Sequence, residues 1–218
     1  MSSPQTNQAA IQSTIALSKG VAQHLLGEED IARANWYGWF AAIWLSAPSA
    51  QQMSVWQASP RSNEHAPSDL EQAWAELIVA ANKLSAEQID QEYTRIFISV
   101  GKPEVLPQAS FHLAGFLHER PLVNIRARLA ELGLAINDDD AWPSSLTEDH
   151  LGLLCTTMRE LVMMNSPAQK AFFHDFVASW SDDLVATIQM SANAQFYKYV
   201  ADLWQAFVAV EQQALDFE

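Results

Sequence analysis

Apolar side chains recur every three to four residues along most of the 218-residue chain, as they do on the buried face of an α-helix. No segment shows the sustained two-residue alternation that is typical of a half-buried β-strand. The pattern therefore predicts an all-α fold. The predicted helices cover residues 7–26, 28–46, 49–57, 68–83, 85–99, 109–119, 121–132, 145–164, 167–190 and 192–216.

Four of these helices begin with the capping-box pattern, in which a serine side chain and a Glu or Gln side chain three residues later bind each other's backbone N–H groups. An apolar periodic run follows each of them, which supports the helix assignment. Pro167 also suits the first position of a helix. The four pairs are Ser68 with Glu71, Ser85 with Gln88, Ser145 with Glu148, and Ser166 with Gln169.

Residues 134–144 form an acidic linker in the sequence, and we expect the chain to divide into subdomains there. Six carboxylates and no Lys or Arg lie between Arg128 and Arg159. We therefore expect two helical subdomains, over residues 1–133 and 151–218, joined by an acidic hinge over residues 134–150. Concentrated negative charge of this kind favours a cationic partner and repels phosphates and anionic lipids.

The composition disfavours several classes of protein. The formal charge is -14, and 12 Lys and Arg against 26 acidic residues do not supply the clustered cations that nucleic-acid binding requires. The single cysteine, Cys155, excludes an internal disulfide. No apolar run approaches the roughly 18 residues of a membrane span, and residues 1–7 lack the basic start of a signal peptide. We expect a soluble cytoplasmic protein without stable membrane insertion.

The familiar catalytic motifs are also missing from the sequence. The six histidines do not show metal-ligand spacing, and there is no P-loop, dinucleotide fingerprint or nucleophile elbow. We therefore expect no enzyme, no cofactor and no metal site. A pair of catalytic carboxylates brought together by folding stays open, as does a small helical enzyme that uses an Asp–His pair.

The first candidate segment is Glu92-Tyr93-Thr94-Arg95-Ile96-Phe97. Tyr93 and Phe97 are four residues apart and share one helical face, while Glu92 and Arg95 can form an ion pair on another. The plainer interpretation is an amphipathic helix with a surface ion pair.

The second candidate is Glu148-Asp149-His150-Leu151, which stands before an apolar helical run. One interpretation is N-terminal capping with a solvated histidine. The other is an anionic helix mouth that binds an arginine side chain, because guanidinium pairs with carboxylates through two parallel hydrogen bonds.

The eight tryptophans and the aromatic runs are expected mainly in the core. Trp142 lies in the acidic linker, where it is either an exposed apolar contact or a lid over the core. The runs over residues 172–180 and 196–199 predict helix–helix packing.

Four segments in chain order resemble the TorD/DmsD/NarJ family of cytoplasmic chaperones for molybdenum-containing redox enzymes, from about residue 30 onward. The first candidate is similar to the family's aromatic-x-Arg-Leu-Phe helix, and the second to its Glu-Pro-Asp-His-Leu hinge. The loop from Gly101 to Ser110, with Pro103 and Pro107, resembles its Gly/Pro-rich loop. Residues 194–203 resemble its C-terminal Phe-Tyr-x-x-x-Ala-x-Leu helix.

The resemblance implies a TorD-like orthogonal bundle of helices without catalytic residues. It implies a chaperone that binds the twin-arginine signal peptide of a DMSO/TMAO reductase-type molybdoenzyme precursor and holds it for cofactor insertion before export. Carried over by position, the peptide-binding residues are Tyr93, Arg95, Ile96, Phe97, Gly101, Glu148, Asp149, His150 and Leu151.

A helical protein-interaction scaffold without signal-peptide specificity is the alternative. The sequence also leaves the oligomeric state open between a monomer and a domain-swapped dimer, because a hinge between two subdomains permits exchange of identical halves between chains.

Overall fold

The structure is a computed structural model that describes residues 26–58, 68–99, 101–135 and 146–217. In these ranges the chain is mostly helical and contains no β-strand, only an isolated bridge between Gln108 and His150. The predicted all-α fold class is therefore confirmed for this part of the chain. The helices are α1 (Glu28–Leu45), α2 (Ala50–Gln57), α3 (Asp69–Ala81), α4 (Ala86–Tyr93), α5 (Ala109–Ala114), α6 (Arg120–Glu131), α7 (Leu151–Met163), α8 (Gln169–Phe173), α9 (Ser179–Met190) and α10 (Phe196–Phe217).

Two helical runs are interrupted by π-helical turns. Thr94–Ile98 continues α4, and His174–Ala178 joins α8 to α9. The single helices predicted over residues 85–99 and 167–190 therefore change their hydrogen-bonding pattern partway along. All of the helix predicted over 7–26 except its last residue lies outside the described residues, as do the acidic run Asp138–Asp140 and Trp142.

Two of the predicted capping boxes are confirmed. The side chains of Ser68 and Ser85 accept the backbone N–H three residues ahead and so begin α3 and α4. A third box, which the sequence analysis missed, begins α2 at Ser49. These caps depend on four consecutive residues, and this is why the sequence pattern finds them.

The other two predicted boxes are wrong. Helix α7 begins at Leu151 with His150 as its cap, so Glu148 lies outside the helix and Ser145 outside the described residues. Gln169 accepts a hydrogen bond from Arg33 instead of capping with Ser166.

Helix α5 is shorter than the predicted helix over residues 109–119. It ends where Gly115 adopts a left-handed conformation, with φ of 81°, and donates its N–H to the carbonyl of Phe111 at 2.8 Å. Glycine adopts this conformation without the steric cost that a side chain imposes, which makes it the usual residue after a helix end. A turn over residues 115–119 then leads into α6.

The chain folds into two compact units, each made of two chain segments. The first unit comprises the described residues up to Leu45 together with Gln108–Phe176, and the second comprises Ser46–Pro107 together with Val177–Glu218. These units do not coincide with the predicted subdomains over 1–133 and 151–218. The hinge predicted over 134–150 stays a prediction, and residues 136–145 of it lie outside the described residues.

The core of the first unit is built by α1 and α7. All residues from Leu151 to Met158 are buried, which requires a neighbour on every side of the first two turns of α7. The two helices approach closely at Gly152, where an added Cβ would lie 2.5 Å from Cγ of Leu45.

The core of the second unit is built around α10, which packs against α3 and α9. Trp180 and Trp204 are buried there, and Nε1 of Trp204 donates to the hydroxyl of Ser181 at 3.2 Å. The predicted packing of the aromatic runs is confirmed for Phe172, Phe173, Trp180, Phe196 and Tyr197, which are all buried.

Candidate functional site

Glu92, the first residue of the first candidate segment, caps a distant helix. Its buried carboxylate accepts the backbone N–H groups of Gln195, Phe196 and Tyr197 at 2.8, 3.0 and 2.9 Å. The first N–H groups of a helix have no partner within the helix, and their positive partial charge favours an anion. Glu92 therefore fixes the start of α10 to the end of α4 within the second unit.

The aromatic side chains of the same segment pack against that helix start. The ring of Tyr197 lies 5.8 Å from the ring of Tyr93 and 4.9 Å from that of Phe97, measured between centroids. Burial raises the pKa of both tyrosine hydroxyls, so both stay neutral at neutral pH. Ile96 is fully buried beside them in sequence. Tyr93, Ile96 and Phe97 therefore contribute to packing in the second unit.

Arg95 and Gly101 are the exposed members of the predicted set in this unit. Arg95 donates to Oδ1 of Asn193 at 3.4 Å, and the expected ion pair between Glu92 and Arg95 is wrong because Glu92 is engaged with α10. Glu104, in the loop after Gly101, accepts hydrogen bonds from Ser191 and Asn193. The segment Glu92–Phe97 and the loop that follows it thus both bind the turn that leads into α10.

In the first unit, Asp149 joins the turn before α7 to the start of α5. Its carboxylate accepts the backbone N–H of Ser110 at 3.0 Å and the hydroxyl of Thr147, and its carbonyl accepts the N–H of Ala109 at 2.9 Å. Asp149 is only 1% exposed. This geometry gives the carboxylate a structural role that the sequence did not predict, because its partner lies 39 residues away.

His150 is the N-terminal cap of α7. Its Nδ1 accepts the backbone N–H of Gly152 at 3.1 Å, so the proton of the neutral ring is on Nε2. Desolvation lowers the pKa of His150 to about 4, and the nearby charge of Asp149 only partly opposes this shift. The expectation of a solvated histidine is therefore wrong. Leu151, which follows, is fully buried.

The turn Glu148–His150 and the start of α5 that it binds are called the Asp149–His150 corner below. Glu148 is the half-buried carboxylate of this corner. Its Oε1 accepts a hydrogen bond from Nε of Arg126 on α6 at 2.8 Å, and the two side chains are 22% and 54% exposed. That hydrogen bond is the main cause that raises the pKa of Arg126, and the charges of Glu148 and Asp149 contribute. The corner thus already holds a guanidinium group at its surface.

Two buried oxygen atoms beside this corner have no hydrogen-bond partner. They are Oγ of Ser110, whose residue is 0% exposed, and Oε1 of Gln108. Buried polar groups are nearly always hydrogen-bonded, so unpartnered ones require an explanation. Sequence reasoning gave neither residue a role in the site, since a glutamine before a helix and a serine in its first turn carry no distinctive local pattern.

The helix pair α5–α6 also presents apolar side chains to solvent. Phe116 is 70% exposed and Val123 is 60% exposed, with Leu113 and Leu117 exposed as well. Large exposed apolar groups close together in the chain are typical of an interaction surface. The signal in the sequence was Gly115, because a helix that ends there leaves Phe116 and Leu117 in the turn rather than on a buried helical face.

The predicted site residues therefore fall into two groups. Tyr93, Arg95, Ile96, Phe97 and Gly101 belong to the second unit, and residues 148–151 belong to the first. Within the groups, Arg95 and Gly101 are exposed, Tyr93 and Glu148 are half-buried, and the other residues are buried. Among the described residues no helix has the length and apolar character that crossing a membrane requires.

Residues 63–186, more than half of the chain, match the protein family described as nitrate reductase delta subunit. The chain belongs to the nitrate reductase delta subunit family. The matched range includes Glu92–Phe97, the Gly101 loop and the Asp149–His150 corner. The finer resemblance to the TorD and DmsD members stays a prediction.

Among solved structures, the fold of this family member is similar to the crystal structure of a proposed redox enzyme maturation protein from Archaeoglobus fulgidus. The TM-score is 0.50 and the sequence identity 14%, and the match covers 89% of this chain and 98% of that chain. At this identity the likeness shows the fold alone. A comparison with curated proteins finds no match.

Proposed function

We propose that the protein is a chaperone for the maturation of a redox enzyme. In this proposal it binds the twin-arginine signal peptide of a molybdoenzyme precursor of the DMSO/TMAO reductase type and holds the precursor in the cytoplasm until the cofactor is inserted. The family match over residues 63–186 carries the proposal. The description of the similar solved structure as a redox enzyme maturation protein agrees with it.

The α5–α6 surface of the first unit supports peptide binding. A twin-arginine signal peptide offers two adjacent cations followed by an apolar stretch. Leu113 lies one helical turn beyond Ser110 on α5, and Val123 lies one turn before Arg126 on α6. Ser110 binds Asp149 and Arg126 binds Glu148, so the exposed apolar side chains lie next to the Asp149–His150 corner on the same two helices. An apolar segment laid on a helical surface, with its cations at one end, is a common mode of peptide recognition.

The charge of the protein supports a cationic ligand. A net charge of -14 attracts a basic segment over long range and accelerates its association at low salt. Glu148 is a partly exposed carboxylate that already pairs with a guanidinium group. The peptide is therefore expected to bind more weakly as the salt concentration rises.

In this proposal the buried residues of the two candidate segments contribute to peptide binding indirectly. Asp149 and His150 hold the turn that presents Glu148, and Tyr93, Ile96 and Phe97 stabilise the segment that presents Arg95 and Gly101. An alanine at Asp149 or His150 weakens peptide binding by disturbing this turn. It also lowers the free energy of unfolding, which replacement of an accessible contact residue would not do.

The test uses the full-length client precursor. The protein is co-expressed with a molybdoenzyme precursor that has its signal peptide, with the same precursor lacking it, and with a version carrying two lysines in place of the arginines. The proposal is supported if the intact precursor copurifies with the protein and neither of the two altered versions does. Equal copurification of all three versions contradicts signal-peptide recognition. A nitrate reductase precursor in parallel tests the client type that the family description suggests.

A helical interaction scaffold without signal-peptide specificity is the second candidate. The burial of Asp149 and His150 favours it, because a scaffold does not require these carboxylate and imidazole groups to contact a ligand. Such a scaffold would bind the folded part of the partner. Equal capture of the three precursor versions would identify this function.

A further inference from the structure

We propose that two copies of this chain associate through the α5–α6 surface, which consists of Leu113, Phe116, Leu117 and Val123, in a symmetric dimer that a signal peptide must dissociate in order to bind there. No part of the chain is exchanged between the copies, so this dimer is not a domain swap. The inference rests on the function proposed above and deepens it, because it adds a form of regulation to the surface assigned to the peptide.

The first observation is that exposed apolar side chains are concentrated at this surface. Twelve large apolar side chains are exposed in the described part of the chain, and four of them lie between residues 113 and 123. The largest of the four, Phe116, is 70% exposed. Single exposed apolar groups are ordinary on a monomer, whereas a cluster is typical of a contact surface.

The apolar surface continues along α6. Val123, Ala127 and Ala130 are all exposed, and their spacing of four and three residues places them on one face of the helix. None of the three is charged. Small side chains on this face permit another helix to pack at short range. The surface therefore offers a helical face for contact in addition to the turn over residues 115–119.

The second observation concerns charge. Two copies of a protein with a net charge of -14 repel each other, so they can associate only where the surface is locally neutral. Glu119 and Arg120 are adjacent, oppositely charged and exposed at the turn between α5 and α6. Neither of them forms an ion pair with another residue of the described ranges. The turn thus has one unpaired charge of each sign.

This charge pattern favours a second copy of the chain as the partner. In a two-fold symmetric interface each contact occurs twice, so the surface must be complementary to itself. When Glu119 of one copy pairs with Arg120 of the other, the symmetry produces the reciprocal pair. A signal peptide places its cations at the Asp149–His150 corner in the proposed function, and it therefore leaves both charges of this turn unpaired.

The size of the surface predicts a weak dimer. Standard stable interfaces contain about 20–30 residues from each partner, and smaller ones belong to transient complexes. Exposed ion pairs contribute specificity more than affinity. We therefore expect a dissociation constant on the order of 10–100 µM. A dimer of this strength can be dissociated by a peptide that binds more tightly to the same surface.

The variant Phe116→Ser tests the apolar contact. It should weaken dimerisation by about tenfold, because it removes the largest exposed side chain of the surface. Val55→Ser is the matched control. Val55 is 63% exposed on α2, which belongs to the second unit, and its replacement should leave dimerisation unchanged.

The variant Glu119→Arg tests the charge pairing. It places cations of the two copies opposite each other and should weaken dimerisation by about fivefold. Because it also makes the net charge less negative, a dimer that does not use this turn would be strengthened. The Glu119 side chain makes no capping hydrogen bond, so the substitution breaks no cap of α6. Glu87→Arg makes the same change of charge on α4 and is the control.

Exchanging the two charges should restore the dimer. The double variant Glu119→Arg with Arg120→Glu again presents one charge of each sign and should dimerise like the wild type. A mixture of the two single variants should form a mixed dimer, because the cations of one copy then face the carboxylates of the other. Such rescue requires that the two turns face each other, and loss of folding in a variant would not produce it.

Sedimentation velocity of the full chain between about 1 and 500 µM, with and without a twin-arginine peptide, decides between the outcomes. A dimer that Phe116→Ser and Glu119→Arg weaken, that charge exchange restores and that the peptide dissociates supports the inference. A monomer over the whole range, a dimer that neither variant weakens, or a peptide that binds the intact dimer overturns it, while precursor copurification still tests the proposed function. A dimer with the expected variant behaviour and no peptide binding supports the self-association and contradicts the proposed function.

Discussion

The carboxylate of Glu92 accepts the backbone N–H of Tyr197 at 2.9 Å, although the two residues are 105 positions apart in the chain. The neighbouring N–H groups of Gln195 and Phe196 bind the same carboxylate. One side chain thus satisfies three N–H groups at the start of α10. Because α10 organises the core of the second unit, this contact connects the segment Glu92–Phe97 to the stability of that unit.

Replacing Glu92 with Gln should lower the free energy of unfolding by about 1–3 kcal/mol. The amide keeps the shape of the side chain but loses the charge and one of the two acceptor oxygens. Urea denaturation followed by circular dichroism measures the change. Glu87→Gln is the control, since Glu87 lies exposed on the same helix and accepts only a long hydrogen bond from Gln91. Equal stability of the two variants would show that the cap is not important.

His150 should make the protein less stable in mild acid. Its pKa in the folded state is about 4, below the ordinary value of 6.5, so the unfolded chain binds the proton more readily. This contribution to stability is fully present above pH 6.5 and is lost as the pH falls towards 4. The loss amounts to about 3 kcal/mol over that window.

The variant His150→Asn tests the histidine directly. Asparagine caps helices well but does not titrate, so the variant should lose the part of the pH dependence that belongs to His150. Chemical denaturation between pH 4 and 7.5 measures this. His118→Asn is the control, because His118 is exposed in a left-handed conformation that asparagine tolerates. An unchanged pH profile in His150→Asn would contradict the assignment.

The close contact between α1 and α7 predicts that Gly152→Ala destabilises the first unit. The added Cβ would lie 2.5 Å from Cγ of Leu45 and 3.2 Å from the carbonyl oxygen of Ala41, so the helices must separate. Overpacking of this kind costs about 1–3 kcal/mol. Gly38→Ala is the control, because its Cβ would meet only the flexible side chain of Arg159. A melting temperature that falls equally in both variants would count against the close approach.

The parts of the fold that the sequence predicted well depend on local patterns. The caps at Ser68 and Ser85 need only neighbouring residues, and helical periodicity identified buried groups such as Trp180 and Trp204. The caps formed by Glu92 and His150 were not predictable in this way. Glu92 acts on a helix start more than 100 residues away, and His150 caps a helix whose serine pattern at Ser145 suggested an earlier start.

The candidate site was predicted only in part, for a related reason. The sequence located the Asp149–His150 corner, but it could not show that both side chains face inward and bind the backbone of Ser110 and Gly152. Ser110, which binds Asp149, lies in the first turn of α5, 39 residues before Asp149 in the chain. Only the folded chain shows that Glu148 pairs with Arg126 and that the hydroxyl of Ser110 has no partner.

The most direct test of the account is the affinity of the protein for a twin-arginine signal peptide, compared by calorimetry with the same peptide in which both arginines are lysines. The account predicts clear binding of the arginine peptide, weaker binding of the lysine peptide, and a decrease of both with added salt. Equal affinities for the two peptides, or no binding of the arginine peptide at low salt, would contradict it.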